Sequence, residues 1–263
     1  MTNEKQPKTP KVNTRNLLFA ATSNGIPSAA DLMAEALDLT LKDVVDERKY
    51  IQKNFSALIF GLQSEVYRVY LRHESQAGGS VLRDAFAKMV GNAPTVEILL
   101  NAIQQNFNVL DKYFLSLSQS RKARAGTSFQ LIMTALLKRL NYSFEEQLIL
   151  PDSKPDYVLP SKAWYKKNAS DCIILTLKRT LRERWRQVPT EGNTGSTYFL
   201  ATIDPKVPHE ELVKMKTLNV KLIVPLELKE MNYATAMNVI SFEDFFEDYL
   251  DPAVKRWKKA GAI

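Results

Sequence analysis

Apolar side chains recur every three or four residues through the first half of the chain, and this spacing is typical of amphipathic helices. Pro27-Ser28 is a helix start, with apolar residues following at helical intervals. The same spacing predicts further helices over 43–73, 81–90, 94–119 and from Phe129 to Leu140. We expect Gly78-Gly79 to separate the first two of these, because a glycine pair usually interrupts a helix.

After Asn141 the pattern changes to short apolar runs, which are typical of buried strands. Strands are predicted over 147–150, 157–159, 172–177, 198–203 and 220–224. Helices are predicted between them over 179–188 and 208–218, and a last helix over 241–258. Helices alternating with strands predict an α/β core that follows an all-helical N-terminal region.

The composition is that of a globular chain. With 263 residues, 45% hydrophobic and 25% charged, it is long enough for one large domain or two small ones. Its 36 Lys and Arg against 29 Asp and Glu leave a net charge of +7, which is a weak indication of a polyanionic partner. The single cysteine excludes an internal disulfide and a Cys-rich zinc site. The glycines form no P-loop or dinucleotide-binding motif.

Residues 1–15 are polar and basic, and we expect a disordered arm there rather than a secretory signal. No apolar stretch approaches the ~18 residues that a membrane span requires. These features predict a soluble, cytoplasmic protein that does not associate with a membrane.

Candidate chemistry lies on two of the predicted strands. Thr176 and Lys178 alternate on one face of the strand that ends there, and Asp156 stands just before a neighbouring strand. If the two strands pair, Asp156 and Lys178 converge at one sheet edge, where a carboxylate can hold Mg²⁺ and an ammonium can steady a nucleophilic water. The alternative is a turn aspartate after Pro155 and a solvated lysine.

The helix predicted after Lys178 carries an apolar stripe of Leu181, Trp185 and Val188. Its remaining sides carry four charged residues, Arg182, Glu183, Arg184 and Arg186. Arginine can bond guanine O6 and N7 together, and glutamate can accept from cytosine N4, so this segment suits the reading of G·C pairs in a major groove. The alternative is a charge cluster that solvates a surface helix.

The motif K-x-T-x-x-E-R-W-R-Q-V, from Lys178 to Val188, resembles the signature of type II restriction endonucleases of the EcoRII, SsoII and NgoMIV group. This group is the CC/GG-reading branch of the PD-(D/E)xK nucleases. The resemblance extends upstream through 154–161 to an Arg-Ala-Gly helix start at 124–126, and downstream through the predicted strands to 228. It covers less than half of the chain.

The resemblance implies a role for each matching residue. Asp156 would be a Mg²⁺ ligand and Lys178 the catalytic lysine. Thr176, two positions before the lysine, would stand in place of the usual acidic residue. Glu191 would supply the missing carboxylate, and it would be the second metal ligand and one of the catalytic residues. The bases would be read by Arg182, Glu183 and Arg184, with Arg186 as a secondary candidate. Tyr165 would occupy the position of a tyrosine near the active site, with aromatic packing as the alternative.

Two residues depart from the family pattern. Gln130 stands where the family has Glu in a Phe-Glu pair, so a second metal-linked carboxylate is missing and a two-metal mechanism is in doubt. Pro189 ends or kinks the helix just before Glu191. These departures keep a second hypothesis open, a sequence-specific DNA-binding protein or inactive nuclease homologue without catalysis.

The resemblance implies a PD-(D/E)xK restriction-endonuclease-like core, a mixed sheet flanked by helices. The implied domains are the arm at 1–15, a helical region at 16–119 that clamps DNA or oligomerises, and an endonuclease domain at 120–263. The implied function is Mg²⁺-dependent cleavage of double-stranded DNA on the 5′ side of CC, at a palindrome with a CCGG core or CCxGG. A palindrome implies a homodimer or higher homo-oligomer, since each half-site needs its own reader.

Overall fold

A computed structural model of the chain describes residues 14–91, 94–124, 128–147, 149, 154–181 and 198–263. These residues form two compact units. One comprises the described parts of Met1–Ala36 and Ser64–Ser128, and the other comprises Leu37–Gln63 with Phe129–Ile263. The predicted domain boundary at residue 120 stays a prediction, although residues 37–63 belong to the same compact unit as most of the predicted endonuclease domain.

Seven helices precede the first strand within the described residues. They are α1 (Thr14–Asn24), α2 (Ala29–Leu41), α3 (Glu47–Lys53), α4 (Phe55–Val90), α5 (Val96–Gln105), α6 (Phe107–Arg124) and α7 (Ser128–Arg139). In the helical unit, Leu18 of α1 packs with Tyr113 and Leu117 of α6. A buried hydrogen bond of 2.8 Å joins the hydroxyl groups of Thr22 and Tyr113.

The second unit contains a six-stranded sheet in the order of the chain. Its strands are β1 (Glu145–Glu146), β2 (Tyr157–Leu159), β3 (Ile173–Lys178), β4 (Tyr198–Thr202), β5 (Val220–Val224) and β6 (Val239–Ser241). The β1–β2 and β2–β3 pairs are antiparallel, and the pairs from β3 to β6 are parallel. The sheet is therefore mixed, as predicted.

Further helices flank this sheet. They are α8 (Lys162–Lys167), α9 (His209–Thr217), α10 (Leu226–Asn232), α11 (Phe242–Asp244) and α12 (Asp251–Lys259), with a 3-10 turn at Ala169–Asp171 and a π-helical turn at Phe245–Leu250. Leu212 and Met215 of α9 share a buried cluster with strand residues such as Leu222. The ring of Phe199 contacts Phe245 and Tyr249. The strands that lie beside the candidate chemistry are thus held in a packed core.

The start of α4 explains why residues 37–63 belong with the sheet. The N–H and Oγ–H of Ser56 donate to the carboxylate of Glu243 at 2.9 and 2.7 Å. The Ser56 Oγ in turn accepts from the N–H of Leu226 at 2.9 Å. One buried serine therefore connects α4 to α10 and α11.

The predicted break at Gly78-Gly79 is wrong, because α4 runs without interruption from Phe55 to Val90. A Cβ atom at Gly78 would lie 2.9 Å from the hydroxyl oxygen of Tyr113, so this glycine permits close packing of α4 against α6. The helix predicted over 94–119 is two helices. Asn106 ends α5, with its side-chain Nδ2 donating to the carbonyl of Ala102 at 2.8 Å.

Four of the five predicted strands are confirmed, at 157–159, 172–177, 198–203 and 220–224, to within two residues at each end. The strand predicted at 147–150 is wrong in position, since β1 ends at Glu146 where Gln147 adopts a φ of +52°. The short strand β6 was not predicted. The helix predicted over 179–188 lies outside the described residues after Leu181, as does the arm before Thr14.

No helix in the described ranges combines the length and the apolar character needed to cross a lipid bilayer.

Candidate active site

Asp156 lies one residue before β2 and is fixed by the neighbouring strand. The backbone N–H of Leu177 donates to its Oδ2 at 2.6 Å, and the Asp156 carbonyl accepts from Gln147 N–H at 2.9 Å. Tyr157 pairs with Leu175 in the antiparallel register, so the next position sets Asp156 opposite Thr176. The other carboxylate oxygen, Oδ1, has no hydrogen-bond partner among the described residues.

Thr176 and Lys178 lie on the same face of the sheet as Asp156, because alternate residues of a strand point to one side and residues paired in register share that side. Thr176 is buried and Lys178 is half-buried at the end of β3. The structure therefore brings these three predicted residues together on one face of the sheet, at the β2–β3 pair. The chemical roles assigned to them stay predictions.

The backbone that follows Lys178 is held by two residues at the end of β4. Thr202, opposite Lys178 in the parallel register, is fully buried, and its hydroxyl donates to the carbonyl of Arg179 at 3.4 Å. The same hydroxyl accepts from the N–H of Asp204 at 3.0 Å. The Asp204 Oδ2 then accepts from the N–H of Leu181 at 2.9 Å. Asp204 thus holds the chain at the last described residue before the predicted reading segment.

Sequence reasoning did not single out Asp204. The available signal is the sequence Thr202-Ile203-Asp204 directly after a buried strand, since Thr and Asp side chains at strand ends often bond nearby backbone groups. Here the Thr202 and Asp204 side chains also bond the backbone of Arg179 and Leu181, which follows the neighbouring strand β3.

Tyr165 and Gln130 occupy positions near these strands. Tyr165 of α8 is half-buried and packs against the core cluster that includes Val158 and Ile174. The carbonyl of Gln130 accepts from the hydroxyl of Tyr157 at 3.2 Å, at the start of α7. Burial raises the pKa of Tyr157, so this hydroxyl stays protonated. The suggested roles of Tyr165 and Gln130 in catalysis stay predictions.

The remaining predicted site residues lie outside the described residues. They are Arg182, Glu183, Arg184, Arg186 and Glu191. Among the described residues no three His, Cys, Asp or Glu side chains come close enough to form a cation site by themselves. The Asp156 carboxylate is a hard oxygen donor of the type that Mg²⁺ prefers, and its Oδ1 is available for one coordination position.

Comparison with known proteins gives consistent matches. A family model described as "EcoRII C terminal" matches residues 88–246. The chain is 30% identical over 154 residues to the type II restriction enzyme SsoII of Shigella sonnei, covering 54% of this chain and 50% of that protein. It is 28% identical over 138 residues to the type II restriction enzyme EcoRII of Escherichia coli, covering 49% and 34% respectively. The matched regions thus span half or less of these relatives.

Two kinds of solved structure share the fold. Metal-depleted Ecl18kI in complex with uncleaved DNA aligns with a TM-score of 0.62 at 21% identity, over 92% of this chain and 84% of that chain. The restriction endonuclease PspGI in complex with substrate DNA aligns with a TM-score of 0.56 at 18% identity, over 89% and 96%. At these identities the similarity establishes the mixed sheet and its flanking helices as a shared fold.

Proposed function

The chain belongs to the EcoRII C-terminal family of type II restriction endonucleases, and from this membership we propose that it is itself a metal-dependent, site-specific DNA endonuclease. The observation that carries the proposal is the position of Asp156. Its carboxylate is fixed by the Leu177 N–H on the face that also carries Thr176 and Lys178. A carboxylate that can bind a cation and an ammonium on one face of a sheet are groups suited to the hydrolysis of a phosphodiester.

In this proposal Asp156 and Glu191 hold a divalent cation, Mg²⁺ in the cell. The donor chemistry fits, because both residues offer carboxylate oxygens. A bound Mg²⁺ would lower the pKa of water and offset charge on the phosphate. The Lys178 ammonium, at the end of β3, would orient the attacking water and stabilise the negative charge that develops on the phosphate. Thr176, buried beside Asp156, would fill the position of the usual acidic residue without adding charge.

The proposed substrate is double-stranded DNA with a palindromic site that contains CC and GG, as CCGG or CCxGG, cut on the 5′ side of CC. Arg182, Glu183 and Arg184 would read its C·G pairs. The support is the sequence motif they belong to and the DNA present in the Ecl18kI and PspGI structures. Two half-sites would require two copies of the chain, so the proposed working species is a homodimer or a higher homo-oligomer.

The test is incubation of purified protein with plasmid DNA in Mg²⁺ and in EDTA. Discrete fragments in Mg²⁺ alone are expected, and sequencing of their ends gives the site and the cut position. Lys178→Ala should lower the cleavage rate by about 10³-fold while specific binding remains, because the charge acts on the reacting phosphate. Lys216→Ala, an exposed lysine of α9, is the matched control and should cut normally.

A protein that binds DNA specifically without catalysis is the second candidate, favoured by Gln130 in place of a family glutamate. Arg182→Ala should weaken specific binding by about 1–3 kcal/mol under either candidate. Specific binding with no cleavage in long incubations with Mg²⁺ would decide for the second candidate and against the nuclease.

A further inference from the structure

Helix α5 is amphipathic, yet its apolar stripe faces solvent. Val96, Leu99, Leu100 and Ile103 recur at the three- and four-residue spacing of one helix face. Val96 and Leu100 are 75% and 60% exposed, and α5 has no buried residue. An amphipathic helix in a monomer normally turns this stripe into the core. The stripe of α5 therefore lacks its partner in the described residues of the protomer.

Helix α6, which follows α5 and contacts it, carries further exposed apolar side chains. Phe107 is 68% exposed, and Phe114 and Leu115 are also exposed large apolar side chains. Tyr113 and Leu117 of the same helix are buried with Leu18 of α1, so α6 is firmly anchored within the helical unit. We call the exposed side chains of Val96, Leu99, Leu100, Ile103, Phe107, Phe114 and Leu115 the α5–α6 face.

The size of the α5–α6 face matches a protein interface. Seven large apolar side chains at roughly half exposure present on the order of 700 Å². The largest apolar patch of a typical monomer is about 300–600 Å². A stable dimer of standard size buries about 800 Å² on each partner. The face is thus large for a monomer and close to the area that a dimer needs.

The charge of the face favours a protein partner over DNA. Over residues 96–115 the charged side chains are Glu97, Asp111 and Lys112, which sum to −1 in a chain of +7. Such a surface does not attract a polyanion, so DNA is not its ligand. In a two-fold dimer the same patch meets itself, and a patch that is apolar and almost neutral does so without repulsion between like charges.

We propose that the α5–α6 face binds the same face of a second copy of this chain. This names the surface behind the homodimer of the proposed function, and it rests on that function only for the need of two half-sites. Dimerisation through two apolar helices would bury the stripe that the protomer leaves in water and provide the main free energy of association.

The test is sedimentation velocity of the full chain over a range of concentrations. The wild type should form dimers, and the double substitution Leu100→Lys with Phe107→Lys should raise the dimer dissociation constant by about 100-fold or more. Both side chains are exposed, so thermal unfolding and circular dichroism of the monomer should be unchanged. Met231→Lys, at an exposed position of α10, is the matched control and should leave the dimer intact.

A monomeric wild type, or a double variant that dimerises as tightly as the wild type, would overturn the proposal. Plasmid cleavage by the wild type separates this result from the nuclease proposal. Cleavage by a chain whose dimer ignores the two substitutions would leave the nuclease standing and remove the α5–α6 face. A dimer that the substitutions dissociate, in a chain that never cuts DNA, would support the face and remove the nuclease.

Discussion

The Oδ2 of Asp156 accepts a hydrogen bond of 2.6 Å from the backbone N–H of Leu177, across the β2–β3 pair. The donor is a main-chain group, so this bond to the carboxylate depends on strand pairing. Leu177 lies between Thr176 and Lys178 in β3. The bond therefore fixes Asp156 relative to both of these residues.

Asp156→Asn should lower the cleavage rate by about 10³-fold or more and leave the fold unchanged. Asparagine retains an oxygen that can accept from Leu177 N–H, but it loses the negative charge that a cation requires. Asp156→Ala should lose the same activity and in addition lower the free energy of unfolding by about 1 kcal/mol, because the Leu177 N–H is left unpaired. Plasmid cleavage and urea unfolding measure the two effects.

The exposed Asp43→Asn serves as the charge-matched control and should behave as the wild type in both assays. Normal cleavage by Asp156→Asn would contradict the role assigned to this carboxylate.

The meeting of Asp156 with Thr176 and Lys178 could be predicted because it follows from local rules. Two short apolar runs form neighbouring strands, and the two-residue alternation of a strand then decides which side chains share a face. Asp204 could not be found in this way. Its partner, Leu181, is 23 residues away in the chain, and the bond depends on the parallel pairing of β3 with β4.

Helix boundaries show the same limit. Glycine pairs usually mark an interruption, but α4 continues through Gly78. The glycine is needed there for packing, because the hydroxyl of Tyr113 from another helix occupies the space that a side chain would fill. Tertiary packing outweighed the local signal. In contrast, the end of α5 at Asn106 has a local cause, since the asparagine side chain bonds the carbonyl four residues earlier.

Asp204→Ala should lower both stability and cleavage. The substitution removes the acceptor for the N–H groups of Leu181 and Lys206, one half-buried and one exposed hydrogen bond, which costs about 1–2 kcal/mol of unfolding free energy. Because the freed backbone directly follows Lys178, the cleavage rate of the folded protein should also fall by about 10-fold.

Rescue distinguishes positioning from general stability. Asp204→Asn keeps an oxygen for Leu181 N–H, so it should recover most of the cleavage rate when both variants are assayed well below their unfolding temperatures. Equal activity of the alanine and asparagine variants would contradict a positioning role for Asp204.

Arg121→Ala should destabilise the helical unit by about 1–3 kcal/mol in urea unfolding. Arg121 Nε donates at 2.8 Å to the carboxylate of Glu74, which is only 3% exposed. Without the arginine, this buried carboxylate keeps the bond of 2.6 Å from the hydroxyl of Tyr70 but loses its charged partner. The cost lies below that of a fully buried pair, because the Arg121 side chain is itself 40% exposed.

The exposed pair of Arg68 with Glu65 in α4 provides the matched control. Arg68→Ala should change the free energy of unfolding by less than about 0.5 kcal/mol, since solvent screens such pairs. Adding Glu74→Gln to Arg121→Ala should restore part of the loss by removing the buried charge. Equal effects of the two arginine substitutions would contradict the importance of burial at Glu74.

Asp244→Asn should lower stability at neutral pH by about 1 kcal/mol, because asparagine keeps an oxygen for the Ser241 N–H at the start of α11 but loses the negative charge that pairs with Lys229. Burial raises the pKa of Asp244, but the hydrogen bonds from Lys229 and from Ser241 outweigh this effect and leave the pKa lowered. A carboxyl whose folded pKa lies below its unfolded value of about 3.9 stabilises the fold above that pH. Its contribution is lost as the pH falls through the folded pKa.

The difference between wild type and Asp244→Asn should therefore be constant from about pH 7 to pH 5 and shrink below about pH 4. Urea unfolding at a series of pH values measures it. Asp248→Asn, an exposed position on the next turn, should show no comparable loss at neutral pH. A difference that grows toward acid would contradict the lowered pKa.

Cys172 should resist thiol reagents in the folded protein. The side chain is buried just before β3, and its Sγ lies 3.6 Å from the carbonyl oxygen of Asn168. Burial, with the charge of Asp171 as a smaller cause, raises the pKa of the thiol to about 12. Since the thiolate is the reactive form, only a very small fraction of the folded protein carries it at pH 8. A disulfide reagent such as DTNB should release no thionitrobenzoate from native protein and one equivalent after unfolding in guanidinium, because the chain has one cysteine.

The control is Cys172→Ala, which should release no thionitrobenzoate in either state. Rapid labelling of the native wild type would contradict the burial of this thiol.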